Sequence, residues 1–228
     1  MSHIHLPDGI LPAWLWLSGY GLTALLLAII WRRGKTTSDP RKFALLGVFA
    51  AIMILIMMIE IPPFAFHFNL SVVTGIIIGP RLAVLAALIV NLILALIGHG
   101  GITVVGLNTL VLSTEMIVGY YAFGLLLRTR LSLANAGFSA TVTGLLCGTG
   151  VGYGIIAAGS SWIDLALRYA TIRVGEQFPE AHLDLIRLAA IMFGVGAIGW
   201  ILEGLMSAAI LASLARIRPG LVSGRDMR

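Results

Sequence analysis

Charge is scarce in this chain. Asp, Glu, Lys and Arg together make up 11% of its 228 residues, against 59% hydrophobic residues, where a soluble domain carries about a quarter charged residues. Too few polar side chains remain to cover a water-facing core, so the apolar surface must face lipid. Cysteine is nearly absent: Cys147 stands alone, which excludes an internal disulfide framework and a Cys-rich zinc or iron–sulfur site within one chain. Any metal must therefore be held by His, Asp, Glu or backbone groups. No Walker lysine motif and no His-Glu-x-x-His occurs, so the chain lacks the usual means of hydrolysing ATP or a peptide. A net charge of +5 does not indicate nucleic acid either, because the basic residues do not gather on a polar face. The first apolar run has no basic lead and no small-x-small cleavage site, and it ends at Trp31-Arg32-Arg33; the N-terminus is expected to be retained.

What is abundant is long apolar sequence. Runs able to cross about 30 Å of hydrocarbon, which takes around 20 helical residues, lie at 11–31, 43–60, 82–98, 103–127, 134–158 and 187–215. Between them, residues 61–80 are more broken: Ile61-Pro62-Pro63-Phe64-Ala65-Phe66-His67-Phe68-Asn69, then an apolar stretch from Leu70 to Gly79 with room for about ten helical residues. If this segment crosses, Arg32, Arg33, Lys35, Arg41, Lys42, Arg81, Arg128, Arg130, Arg216, Arg218, Arg225 and Arg228 all fall on one side, and only Arg168, Arg173 and Arg187 lie opposite. If it does not, the positive-inside bias breaks up. The expectation is an all-α polytopic bundle of seven spans with a short, broken third span. Residues 1–228 then form one transmembrane domain, N-terminus outside and C-terminus cytoplasmic. Irregular backbone at membrane depth requires surrounding protein or a wet cavity. Residues 159–186 combine charge with helically spaced apolar positions and predict an interfacial helix acting as a lid or brace.

Three places carry candidate chemistry. The opening Met1-Ser2-His3-Ile4-His5-Leu6-Pro7-Asp8-Gly9 offers a free amine within chelating distance of an imidazole whether or not Met1 is trimmed. With Met1 kept, the amine, two amides and the His3 imidazole close a square-planar set. With Met1 removed, the Ser2 amine and the His3 amide and imidazole leave a fourth position open. Square-planar nitrogen favours Ni(II) and Cu(II), and Co(II) remains compatible with the ligand type. His67 lies in the broken segment, on the side expected for the N-terminus, and an ionisable residue there is a functional candidate. Glu60 and Asn69 flank it. The third place is Gly98-His99-Gly100-Gly101-Ile102-Thr103, with Gly106 and Asn108 beyond, a tight turn in which His99 is a ligand, a partner to one, or a turn-fixing hydrogen bonder. Glu115 and Glu203 are acids within spans, suited to helix contacts or to binding a partner subunit. Gly144, Gly148 and Gly152 read as close helix packing.

With those residues in view, the chain resembles the CbiM/NikM family, the membrane substrate-binding subunits of cobalt/nickel energy-coupling factor transporters. His5-Leu6-Pro7-Asp8-Gly9 is similar to the family's opening His-x-Pro-Asp/Glu-Gly, and His99-Gly100-Gly101 with Thr103, Gly106 and Asn108 is similar to its second signature. The resemblance implies a seven-helix subunit whose N-terminus folds into the membrane and binds the ion through its amine, a backbone amide, the adjacent His and a later His. It also implies as partners a transmembrane coupling subunit, paired cytoplasmic ATPase subunits and a small accessory membrane subunit in a prokaryotic cell membrane. This chain departs from the pattern in two ways. His5 is preceded by an extra Met1-Ser2-His3, which leaves His3 and His5 as alternative ligands, and the family's Thr-Ser-Gly-His stretch is absent, leaving His67 as the histidine near that position.

The expected site is thus Ser2, His3, His5 and His67 around transported Ni(II) or Co(II), buttressed by Asp8, Glu60, Asn69, His99 and Asn108, with no permanently bound cofactor and no catalysis. Two other readings use the same residues. One is a vitamin-capturing subunit of similar architecture in which the histidines are structural; the other is an intramembrane enzyme built on Glu115 or Glu203 with a metal.

Overall fold

A computed structural model describes residues 8–32, 40–59, 67–164 and 184–222. The helices are α1 (Ala13–Arg32), α2 (Pro40–Met57), α3 (Ser71–Ile78), α4 (Pro80–Leu96), α5 (Val105–Leu127), α6 (Leu133–Ala158), α7 (Leu185–Ile217) and α8 (Pro219–Val222); no strand occurs among the described residues. The six long runs read from the sequence each became a helix within a few residues of the expected bounds. Five helices (α1, α2, α5, α6 and α7) are long and apolar enough to cross a membrane, and α4 falls just short at 17 residues. The chain is an all-helical, multi-pass membrane protein. The interfacial helix expected over 159–186 lies largely outside the described residues.

The long outer helices face lipid. On α1 and α2, Trp14, Leu17, Leu25 and Leu55 are all exposed, and Trp31 is 75% exposed. The shortest of the apolar helices is the opposite: all eight residues of α3 are buried, enclosed by α2, α4, α5, α6 and α7. Its core neighbours include Met53, Met57, Leu94, Leu112, Met116 and Phe123. Glycines admit this close packing. A Cβ on Gly75 would strike the backbone of Met116, one on Gly119 the side chain of Val72, and one on Gly144 both Val72 and the Glu115 carbonyl.

Local chemistry sets the length of α3. Leu70 takes a left-handed backbone (φ 54, ψ 22) just before it, which helix propagation does not pass. At the other end Gly79 (φ +86) precedes Pro80, and a residue before proline is driven out of the helical region. The sequence allowed about ten helical residues here and the structure forms eight, because Leu70 and Gly79 both serve as boundaries. Gly79 is the whole connection between α3 and α4. His67 lies upstream of α3 and His99 downstream of α4, yet their ring centroids are 5.6 Å apart. Helices of about 12 Å and 25 Å running on in line would carry these rings far apart, so α3 and α4 double back on each other at Gly79. The His67–Leu70 stretch, which is not helical, covers the remaining length alongside α4.

Candidate metal-capture site

The site is built where α4 ends. Gly98, at φ +83, closes the helix: its N–H donates to the Ala95 carbonyl (3.1 Å) and the His99 N–H donates to the Leu94 carbonyl (2.8 Å). These two bonds are a Schellman motif, and they fix the direction in which His99 leaves the helix. The His99 ring meets the His67 ring edge to face, with planes at 77°. His67 is buried at 7% exposure, and His99 is half-buried. Among the described residues no third His, Cys, Asp or Glu joins them into a metal-binding group.

The same turn holds the start of the chain. The Asp8 carboxylate accepts from the Ile102 N–H (2.9 Å), the Thr103 N–H (2.8 Å) and the Thr103 hydroxyl (2.5 Å). The Thr103 hydroxyl, followed by the Thr103 and Ile102 amides, holds the Asp8 carboxyl below its ordinary range. Glycine at 101 is obligatory here, because a Cβ would lie 2.5 Å from both the Asp8 nitrogen and Oδ1. The Tyr20 hydroxyl of α1 donates to the Ile102 carbonyl, and Thr23 donates to the Gly106 carbonyl at 2.9 Å. A Cβ on Gly106 would be 2.5 Å from the Tyr20 nitrogen, so α1 and α5 touch backbone to backbone beside the turn. Beneath Asp8, Leu11 and Leu15 pack on Val104, Leu107 and Ile163 in a small cluster separate from the main core. Polar bonds above and apolar packing below thus anchor residues 8–15 against the turn that carries His99.

A second polar group lies deeper. Asn69 Oδ1 accepts from the Ser71 N–H (2.8 Å), an Asx turn that opens α3, and its Nδ2 donates to Glu115 Oε2 (2.7 Å). The Ser71 hydroxyl donates to the same oxygen at 2.8 Å. Glu203 of α7 accepts from the Leu70 N–H at 2.9 Å and, more weakly, from the Asn69 N–H at 3.4 Å. Both glutamates and Asn69 are fully buried. A Cβ on Gly148 of α6 would fall on the Glu115 side chain, so that glycine makes room for the acid as well as for helix packing.

Of the residues singled out from sequence, His67, His99, Asp8 and Asn69 fall at or beside this turn and the start of α3. Asn108 is buried in the first turn of α5, its N–H donating to the Val104 carbonyl. Ser2, His3, His5 and Glu60 lie outside the described residues. Asn69, which flanks His67 in sequence, opens α3, whereas His67 faces His99. Sequence reasoning missed Tyr20, whose only signal is a hydroxyl amid an apolar run. Glu115 and Glu203, expected at helix contacts or at a partner subunit, are engaged within the bundle by backbone amides, Asn69 and Ser71.

Solved structures and sequence relatives resemble this chain over nearly its full length. The crystal structures of a transition metal transporter and of a truncated transition metal transporter each superpose with a TM-score of 0.74 at 18% identity, covering 99% and 94% of this chain and 100% and 99% of theirs. At that identity they establish a shared fold. The cobalt transport protein CbiM of Sorangium cellulosum (strain So ce56) is 28% identical over 229 aligned positions, 96% of this chain and 94% of that protein. The family model for the cobalt uptake substrate-specific transmembrane region, CbiM, matches residues 5–221, and the chain therefore belongs to the CbiM family, as a transport component rather than an enzyme.

Proposed function

We propose that the chain captures Ni(II) or Co(II) at the outer face of a prokaryotic cell membrane, as the substrate-specific component of an ATP-driven energy-coupling factor transporter. The ion is bound by nitrogen from Ser2, His3 or His5 together with the His67 imidazole, and its uptake feeds cobalamin synthesis or nickel enzymes. The observation that carries this reading is the double use of one turn: Asp8 is bonded to Ile102 and Thr103, and His99 of that turn lies against His67. From Asp8, an extended chain reaches at most about 10 Å to residue 5 and about 17 Å to residue 3, which keeps an N-terminal chelate within that radius of the turn whose His99 meets His67. Asp8, Asn69, His99 and Asn108 steady the pocket rather than ligate. Glu60 belongs to the same buttress.

The doubling back of α3 and α4 supports seven crossings, with α3 and the non-helical residues 67–70 in the third. That count puts the N-terminus outside, the C-terminus in the cytoplasm and 12 of the 15 basic residues on the cytoplasmic side, in one domain. No ATP-binding motif is present, so energy must come from paired ATPase subunits acting through a transmembrane coupling subunit, with a small accessory membrane subunit completing the complex. The 28% identical relative's name supports cobalt as one of the two metals.

Calorimetry on the purified full chain tests the site. One Ni(II) or Co(II) per chain is expected, lost in His67→Ala and in a chain with an N-terminal extension that blocks the amine. Unchanged affinity in either variant contradicts the site, and uptake of a labelled vitamin without metal uptake contradicts the substrate class.

A further inference from the structure

We infer that Glu203 of α7 and Glu115 of α5 are positioning residues for metal capture: by gripping Asn69, Leu70 and Ser71 they set where His67 presents its imidazole. The inference rests on the metal-capture reading above and adds two residues to which that reading gives no role. Only Phe68 separates His67 from the gripped segment, so the backbone to which His67 is attached has little freedom once Asn69 is held. Asn69 is held at three atoms: its N–H by Glu203, its Nδ2 by Glu115 and its Oδ1 by the Ser71 N–H. Leu70 sits in the left-handed region, which a buried leucine adopts only where its surroundings over-determine it. The Glu203 oxygen bonded to its N–H at 2.9 Å supplies that constraint.

Capping alone does not call for this arrangement. The start of α3 has a local cap in the Asn69 side chain, yet two further carboxyl groups arrive from different helices and converge on the same three residues. Both are fully buried, where hydrogen bonds are stiff because water does not compete for them. The glycine at 148 leaves the space that Glu115 occupies. The result ties the non-helical stretch before α3 to α5 and α7 together, and α5 also begins just after the Asp8-binding turn. His67 is thereby referenced to the same helix as the N-terminal tether, which is what a site assembled from two distant pieces of chain requires.

The test uses the purified full chain and Ni(II) as probe, read by calorimetric affinity and by the visible spectrum of the bound ion, which reports ligand set and geometry. In E203Q the amide has one accepting oxygen where the carboxyl has two, so one of the two N–H donors loses its partner. Affinity is expected to fall about tenfold or more and the spectrum to change, while the melting temperature shows the chain folded. Ser71→Ala removes one donor to Glu115 and is expected to cost about fivefold in affinity, one ordinary hydrogen bond. Glu115→Leu removes the acceptor of both the Asn69 Nδ2 and the Ser71 hydroxyl and is expected to cost more than Ser71→Ala. Folded E203Q and Ser71→Ala proteins with wild-type affinity and spectrum overturn the inference. If E203Q does not fold, Ser71→Ala decides by the same criterion. Loss of binding in His67→Ala alongside unaffected E203Q and Ser71→Ala leaves metal capture standing and removes only the positioning role; wild-type chain that binds no Ni(II) or Co(II) removes both.

Discussion

The molecule holds its two polar constellations by opposite means. At the turn after α4, Asp8, Gly101, Ile102 and Thr103 form a half-exposed tether whose partners are mostly backbone amides of one short segment. Deeper in the bundle, Glu115 and Glu203 reach across from α5 and α7 to the start of α3 and are wholly buried. Solvent can replace the first set of bonds when they break, but it cannot replace the second. The tether is therefore expected to govern binding with little effect on stability, and the buried group to govern both.

The largest effect should come from Glu203→Leu, which leaves the Leu70 and Asn69 N–H groups without that acceptor inside the bundle. It is expected to cost about 2–4 kcal/mol of stability, seen as a lower melting temperature in detergent. Gly101→Val comes next. Its side chain would occupy the place of Asp8, so metal affinity is expected to fall by about a hundredfold with the melting temperature nearly unchanged; a large melting shift would mean that the tether is structural after all. Asp8→Asn should cost about tenfold in affinity, and its pH dependence is diagnostic. The folded Asp8 pKa is depressed, so the carboxylate's contribution is complete above the unfolded value of about 3.9 and is lost only as pH falls through the lower folded value. The ratio of wild-type to Asp8→Asn affinity should accordingly be constant from pH 5 to pH 8, and a ratio that titrates within that range would refute the tether. The smallest effect belongs to Gly150→Ala on α6, where a Cβ meets nothing within 4 Å: no change in binding and less than about 0.5 kcal/mol in stability.

The same contrast explains what could be read in the chain before its structure. Membrane helices are legible because hydropathy is additive along the sequence, and the long spans fell where the apolar runs put them. The tether was partly legible too, since His99-Gly100-Gly101 and Thr103 lie within five residues of one another and glycines at a turn announce backbone approach. That Asp8 is the group approaching Gly101 could not be read, because nothing along the chain states which distant segment fills the space a glycine leaves. The buried group was least legible. Glu115 and Glu203 are single acids in different spans, and their partners are an asparagine and main-chain amides exposed by a left-handed leucine, a conformation that sequence does not mark. The length of α3 was misjudged by a turn's fraction for the same reason, since Leu70 looks like any other helix former.

The central claim is that the beginning of the chain and His67 share one ion, and X-ray absorption on Ni(II)-loaded full chain tests it most directly. The account predicts a nitrogen-dominated ligand shell with imidazole scattering in the unaltered chain, and loss of that shell both in His67→Ala and when the N-terminal amine is blocked. An ion held by oxygen donors, or a wild-type nitrogen shell that persists in either altered protein, would contradict it.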